Sequence, residues 1–291
     1  MAWPMSAAQT HSPAWPGRRL LDALDVTDLD TFDPRPGWQH RAHDDVLTIP
    51  VGAPVDAPDS VVSIELGDHA NVALCVGITG KTTVLQSLAL SVCTLYPPTR
   101  VQLAIADTQN GIASANATTG PPPHVVAHCA GYRRAADPPA NWDTWCTQVE
   151  TALDQRAGQP QPDLLVVVDA VDELLGSHPQ VAGTLQRIVD EGRDKRVRLL
   201  MSSTEQTSKF AAGARLGRPS FDATSDVVIA LRTATAQTSM DALGGPQAWQ
   251  LPMSPLGLGY VRPPDGAITG PVRLFTAADV APTLSSRLMT I

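Results

Sequence analysis

Lysine is scarce in this chain: Lys81, Lys195 and Lys209 are the only three among 21 basic residues in 291 positions. Aromatic residues make up 4%, so a core must be built from Val, Leu, Ala and Ile, which the 43% hydrophobic content allows. Acidic residues outnumber basic ones by 29 to 21, giving a net charge of −8. That balance disfavours a dedicated nucleic-acid surface, because phosphate contacts need Lys and Arg. The basic clusters at Arg133-Arg134 and at Arg193, Lys195, Arg196 and Arg198 are local. The four cysteines (75, 93, 129, 146) form no C-x-x-C pair, and no His stands at metal-ligand spacing. Buried, reduced thiols in a cytosolic chain are therefore expected. No window of 18 apolar residues exists, which excludes a transmembrane helix. Residues 1–19 carry Pro4, Pro13 and Pro16 without an apolar stretch, so they read as a disordered N-terminus rather than a signal peptide.

Against that background the segment Gly77-Ile78-Thr79-Gly80-Lys81-Thr82-Thr83 stands out. A phosphate-binding loop has the form G-x-x-x-x-G-K-[ST]. Its backbone N–H groups wrap the phosphates, its Lys reaches the β and γ oxygens, and its hydroxyl holds Mg²⁺. Here Gly80, Lys81 and Thr82 are intact, but Cys75 occupies the outer glycine position and the loop is two residues short. A lysine kept in a chain that otherwise uses arginine argues for a compact ammonium at position 81. The flanks fit as well. Asn71–Val76 is a short apolar run suited to a buried strand, and Thr82–Leu95 has helical spacing at Leu85, Leu88 and Val92. Strand, glycine turn and helix are the context such a loop requires, since the helix N-terminus offers positive potential to phosphate.

A nucleotide site also needs an acid at the end of a buried strand, and Leu164–Val168 followed by Asp169 supplies one. Asp169 is expected to hold Mg²⁺ through water, together with Thr82. Hydrolytic enzymes of this kind place a Glu directly after the Asp as general base, whereas this chain has Ala170. Loss of a positioned base costs ~10²–10⁴ in rate. Asp172 and Glu173 are the only weak candidates for that role, with a solvated helix start as the alternative reading.

Candidate strands are 61–66, 71–76, 101–106, 124–128, 164–168, 197–202 and 227–231, and candidate helices are 82–95, 142–156, 180–193 and 235–243. Their alternation predicts an α/β fold with a mostly parallel sheet covered by helices on both faces. The expected organisation is a disordered segment 1–19, an extended arm over 20–60 opening with a short helix at Leu20–Leu24, a body over 61–284 and a tail at 285–291. The stretch 111–123 reads as a loop. The Pro- and Gly-rich segment 249–291 is expected to return as strands at the sheet edge.

These motifs lie within a wider pattern that resembles the FtsK/SpoIIIE ATPases, and most of all the first ATPase domain of the EccC motor of type VII (ESX) secretion. The resemblance runs from about Leu20 to Val280. It rests on the ordered set Leu47-Thr48-Ile49-Pro50-Val51-Gly52, the loop at Gly80-Lys81-Thr82, Asp107-Thr108-Gln109-Asn110-Gly111, Pro123-His124-Val125-Val126, Gly192-Arg193, Ala230-Leu231-Arg232-Thr233, Leu251-Pro252 and Gly259-Tyr260. It implies a P-loop NTPase (RecA-like) fold, ATP and Mg²⁺ as cofactors, and partners among secretion-machine subunits or a ring of copies. The membrane would then be reached only through a partner, at the inner face of the plasma membrane.

The departures fall on the chemistry: the short loop, Ala170 for Glu, Gln109 for Lys, and Thr204-Glu205 where the family has Gln-Arg. A degenerate, weakly ATP-binding and poorly hydrolytic domain is therefore expected. Arg187, Arg193 and Arg196 are candidates for completing a neighbour's site. An active motor is the alternative, because the short loop also resembles that of Mur ligases, which hold ATP. A DNA translocase is a further alternative that the net charge disfavours.

Overall fold

The computed structural model describes residues 19–109, 111–112, 122–131, 141–156, 161–205, 209–211 and 220–289. In chain order these form α1 (Leu20–Ala23), α2 (Arg35–Arg41), β1 (Leu47–Pro54), β2 (Val62–Leu66), β3 (Val72–Val76), α3 (Lys81–Leu95), β4 (Val101–Asp107), β5 (Val125–Ala130), α4 (Trp142–Gln155) and β6 (Asp163–Val168). There follow α5 (Val171–Ser177), α6 (Val181–Glu191), β7 (Val197–Ser203), β8 (Lys209–Ala211), β9 (Ser220–Asp222), β10 (Val227–Ala230), α7 (Ala236–Leu243), β11 (Leu258–Arg262), β12 (Thr269–Leu274) and α8 (Ala281–Met289).

Ten strands make one sheet in the order β2-β1-β12-β11-β10-β3-β7-β6-β4-β5. The run from β10 to β5 is parallel, and the other four strands pair antiparallel. Every residue of β3, β6 and β7 is buried, as central strands covered on both faces require. Their side chains divide by strand alternation. Ala73, Cys75, Leu165, Val167 and Leu200 enter the core beneath α1, α2, α3 and α8. Val72, Leu74, Val76, Leu164, Val166, Val168, Leu199 and Met201 enter the core beneath α4, α5, α6 and α7. Helix α4 shows how a sequence commits to one face. Asn141 caps it by accepting from the Thr144 amide at 2.9 Å, and Trp142, Trp145, Val149 and Leu153 line its buried side.

The structure corrects three expectations. The stretch 20–60 is not an extended arm: Leu20, Leu24, Trp38, Leu47, Ile49 and Val51 are buried in the main core, and β1 is an integral strand. Burial of those side chains, at about 1.5–3 kcal/mol each, draws the segment in. Trp38 is also fixed by its Nε1 donating to the Thr94 carbonyl of α3 at 3.1 Å. Strands β11 and β12 lie inside the sheet rather than at its edge, because β1 and β2 add beyond them. Most of the expected tail belongs to α8, where Ser285 and Leu288 are buried. Residues 1–18, 113–121, 290 and 291 of the expected disordered terminus, loop and tail, and the Arg133-Arg134 pair, lie outside the described residues.

No disulfide joins the four cysteines, and burial pushes the Cys75 and Cys93 thiols up to about 12. No described helix is long and apolar enough to cross a membrane.

His124 is fully buried, with Nε2 at 2.8 Å from the Tyr96 carbonyl and Trp38 edge-on at 5.4 Å. Burial lowers its pKa from 6.5 to about 4, against the weaker upward pull of the Tyr96 bond. The unfolded chain therefore binds this proton at a higher pH than the folded one does. The stabilisation is fully present above about pH 6.5 and is lost as pH falls towards 4, at most about 3 kcal/mol. Urea unfolding should show this slope between pH 6.5 and 4, and a His124→Asn variant should flatten it. An equal slope in the variant would place the proton uptake elsewhere.

Candidate functional site

The loop at the end of β3 is held by the strands on either side of it. Gly77 N donates to the Ser203 carbonyl of β7 at 3.2 Å, and Ile78 N donates to the Arg232 carbonyl just past β10 at 3.0 Å. A Cβ on Gly77 would sit 2.8 Å from the Leu231 Cβ, which is why only glycine fits. Gly80 takes a left-handed turn (φ 84°) and starts α3. The first-turn amides of Lys81, Thr82 and Thr83 have no partner within the helix and carry its positive end. Thr79, Gly80 and Thr83 are exposed, while Ile78, Lys81 and Thr82 are half-buried. Lys81 folds back over the loop, its Nζ donating to the Gly77 carbonyl at 2.8 Å.

Asp169 follows β6 directly and is fully buried. Its Oδ2 accepts from Thr82 Oγ1 at 2.8 Å, and its Oδ1 accepts from Ser202 Oγ at 2.8 Å. Burial raises its pKa, the Ser202 and Thr82 hydrogen bonds oppose that, and the neighbouring Asp107 carboxylate adds to the rise. Ser202 in turn accepts from the Ala170 amide at 2.8 Å, and Thr108 Oγ1 donates to the Asp169 carbonyl at 3.0 Å. Sequence reasoning singled out neither Ser202 nor Thr108. The available signal was a pair of serines closing β7 directly after the apolar run Leu199–Met201.

Asp107, at the end of β4, accepts from the Gly111 and Ile112 amides at 2.9 and 2.8 Å. This turn brings Gly111 so close to the loop threonine that a Cβ there would meet Thr82 Cγ2 at 2.5 Å. The tips of β3, β7, β6 and β4 thus converge on Thr82 and Asp169, at the carboxyl ends of parallel strands, where open α/β sheets bind ligands.

Ala170 is buried in a left-handed conformation (φ 47°, ψ 60°) that turns the chain from β6 into α5. The first turn of α5 sends its two carboxylates in different directions. Asp172 Oδ2 accepts from the Thr204 amide beyond β7 at 3.2 Å, on the side facing β3. Glu173 is exposed, and its Oε2 accepts from Gln109 Nε2, beyond β4, at 2.8 Å.

The three arginines considered for a neighbour's site are engaged within the chain. Arg187 lies 2.7 Å from Asp154 and 3.1 Å from Glu191, Arg193 pairs with Asp226 at 3.6 Å, and Arg196 bonds to Asp163.

The donor set suits magnesium nucleotide: one hydroxyl and one carboxylate are hard oxygen ligands, and Mg²⁺ takes its remaining ligands from water and phosphate. First-turn amides and an ammonium suit the phosphates. Among the described residues no cluster of three or more His, Cys, Asp or Glu side chains is placed to hold a metal ion.

Comparison with known proteins agrees with this geometry. No family model matches the chain. The protein EccC4 of the ESX-4 secretion system of Mycobacterium tuberculosis is 26% identical over 303 aligned residues, covering 91% of this chain and 24% of that protein. EccCa1 of the ESX-1 system of the same species is 37% identical over 103 residues, covering 35% of this chain and 13% of that protein. Among solved structures, the cytoplasmic domain of the Thermomonospora curvata type VII secretion ATPase EccC superposes with a TM-score of 0.68 at 21% identity, over 94% of this chain and 34% of that one. The homologues of this chain are thus EccC proteins of ESX secretion systems, and its fold is that of their P-loop ATPase domains. The chain spans about a quarter or less of the length of these curated relatives.

Proposed function

We propose that this chain is an EccC-type domain that binds Mg-ATP weakly, hydrolyses it slowly, and serves a type VII secretion-like machine chiefly through nucleotide-dependent contacts with other subunits or with copies of itself. The observation that carries the reading is the Thr82–Asp169 contact of 2.8 Å beside Lys81, with alanine at 170. A lysine and a hydroxyl–carboxylate pair, side chains suited to phosphate and magnesium, lie together here, and alanine stands where the resemblance leads one to expect the base. In this reading Thr79–Thr83 offer amides to the phosphates, Lys81 contacts the terminal phosphate oxygens, and Thr82 and Asp169 hold Mg²⁺, Asp169 through water. Gly77 and Ile78 fasten the loop to its neighbours. When bound, the metal supplies charge neutralisation on the phosphate oxygens. Cytoplasmic placement, with any membrane contact made through a partner, belongs to the same proposal.

The test is a titration of the purified protein with a fluorescent ATP analogue and Mg²⁺, with phosphate release from ATP measured on the same preparation. Saturable, Mg-dependent binding is expected. Turnover should fall ~10²–10⁴ below the ~10 s⁻¹ typical of enzymes, because the positioned base is absent. Ordinary turnover would establish an active motor, and absence of binding would leave a scaffold kept for its surfaces.

A further inference from the structure

Asp169 is fully buried, so what its carboxylate can do depends on the groups packed around it. Its backbone is fixed by β4 and the turn beyond it. The Asp169 amide donates to the Ala106 carbonyl at 2.9 Å, and the Asp169 carbonyl accepts from Thr108 Oγ1 at 3.0 Å. Its carboxylate lies between two hydroxyls, Ser202 on Oδ1 and Thr82 on Oδ2, each at 2.8 Å. The sheet register brings Ser202 there: Val168 and Met201 are partners on neighbouring strands, so the next residues, Asp169 and Ser202, stand side by side. Ser202 is fully buried as well, and its Oγ accepts from the Ala170 amide at 2.8 Å.

The sense of these bonds follows from valence. An amide N–H can only donate, and an ionised carboxylate can only accept. Ser202 therefore accepts from Ala170 and commits its single hydrogen to Asp169 Oδ1. The same rule commits the Thr82 hydrogen to Oδ2. The lone pairs of Thr82 Oγ1 are then left for a hard cation, and Thr82 is the half-buried member of the pair. Ser202 keeps this arrangement in place. With Oδ1 occupied by a hydroxyl that is itself anchored to a backbone amide, Oδ2 stays on Thr82. Without that hydroxyl, Oδ1 would be a buried oxygen short of a donor, and the Thr82 hydrogen would have two oxygens to serve.

We propose that Ser202 is a positioning residue for the metal: it fixes the Asp169 carboxylate so that Thr82 presents an oxygen lone pair, rather than its hydrogen, to Mg²⁺. Ser202 touches neither metal nor nucleotide and acts through Asp169 and Thr82. Outer partners of metal ligands work in this way, and losing one weakens metal affinity about 10–100-fold. The inference rests on the nucleotide-binding reading above and names the residue outside the loop that sets its demand for magnesium.

The experiment titrates a fluorescent ATP analogue into wild type, Ser202→Ala, Ser202→Cys and Ser239→Ala at graded Mg²⁺ concentrations and in EDTA, with melting temperatures on the same samples. Ser202→Ala is expected to raise the Mg²⁺ concentration for half-maximal binding about tenfold or more, with the analogue Kd in EDTA unchanged within about twofold. Ser202→Cys keeps the shape but offers only a weak S–H donor. It should shift the Mg²⁺ response in the same direction, and it stands in if the alanine variant fails to fold. Ser239 is the control for a purely structural loss. It is buried like Ser202 and bridges a carbonyl, Gly245 at 2.6 Å, and an amide, Ala248 at 3.0 Å, at the end of α7. Ser239→Ala should lower the melting temperature and leave the Mg²⁺ response within about twofold of wild type. An unchanged Mg²⁺ response in a folded Ser202 variant, or an equal shift in Ser239→Ala, would overturn the assignment while leaving nucleotide binding intact. Wild-type binding indifferent to Mg²⁺ would overturn the assignment together with the metal role of Thr82, and no binding by the wild type would overturn both readings.

Discussion

Replacing Lys81 with alanine is expected to weaken Mg-ATP binding by about 10–100-fold, since a charge-assisted hydrogen bond contributes roughly 1.5–3 kcal/mol. The lysine is half-buried, its ammonium rests on the Gly77 carbonyl at 2.8 Å, and the loop it covers has already committed its first two amides to β7 and β10. A full-length loop surrounds a phosphate with more backbone N–H groups. Here the shortening removes two residues' worth of them, so a larger share of the attraction falls on the ammonium. Stability should hardly change. The Lys81–Gly77 bond is partly solvated and its loss costs about 1 kcal/mol or less. Isothermal titration of both proteins, with melting curves on the same samples, separates the two effects. A loss below about threefold would mean that the helix N-terminus alone holds the phosphates. Lys81→Arg is expected to fall between wild type and alanine, because a planar guanidinium cannot occupy the space of a compact ammonium above a tight turn.

The parts of this site that were legible in the sequence are those written in short, contiguous patterns. The run Leu164–Val168 before Asp169 needs both faces buried to be stable, and it lies inside the sheet between β7 and β4. The Gly80-Lys81-Thr82 triplet announces itself because glycine is required by a left-handed turn and lysine is otherwise almost unused. What was not legible comes from pairing across the sheet. Ser202 and Thr108 reach Asp169 only because β7 and β4 flank β6, an order no local pattern encodes. Strand β1 escaped for a different reason. It carries Pro50 and Pro54, and proline removes a ladder donor. The structure accommodates this with a register shift between Pro50 and Gly52 against β2. Asp172 and Glu173 looked equivalent because the sequence gives their spacing but not the left-handed turn at Ala170 that sends one inward.

The same reliance on long-range pairing makes Asp163 the position where one substitution should cost most in stability. Asp163 opens β6 with no exposed surface. It lies 2.8 Å from Arg100, itself 5% exposed, and it accepts a hydrogen bond from Arg196, which adopts a left-handed backbone (φ 57°) at the turn into β7. The carboxylate therefore ties the amino ends of β4, β6 and β7 together, opposite the nucleotide loop. An Asp163→Ala variant leaves the Arg100 guanidinium buried with, among the described residues, only the Asp44 carbonyl, 2.7 Å from Nε, as a partner. Breaking a buried pair in this way costs about 3–5 kcal/mol, a large share of the 5–15 kcal/mol that holds a typical domain together. Chemical denaturation should show that loss, while the folded fraction keeps its affinity for the ATP analogue because no loop residue is touched. An Arg196→Ala variant should lose less, since this arginine is 44% exposed on its side chain and Arg100 remains to balance the acid. If Arg196 instead served mainly to complete a neighbour's site, its removal would spare stability altogether and lower only the activity of mixed assemblies. The relative cost of these two substitutions therefore decides whether the arginine's first duty is to its own sheet.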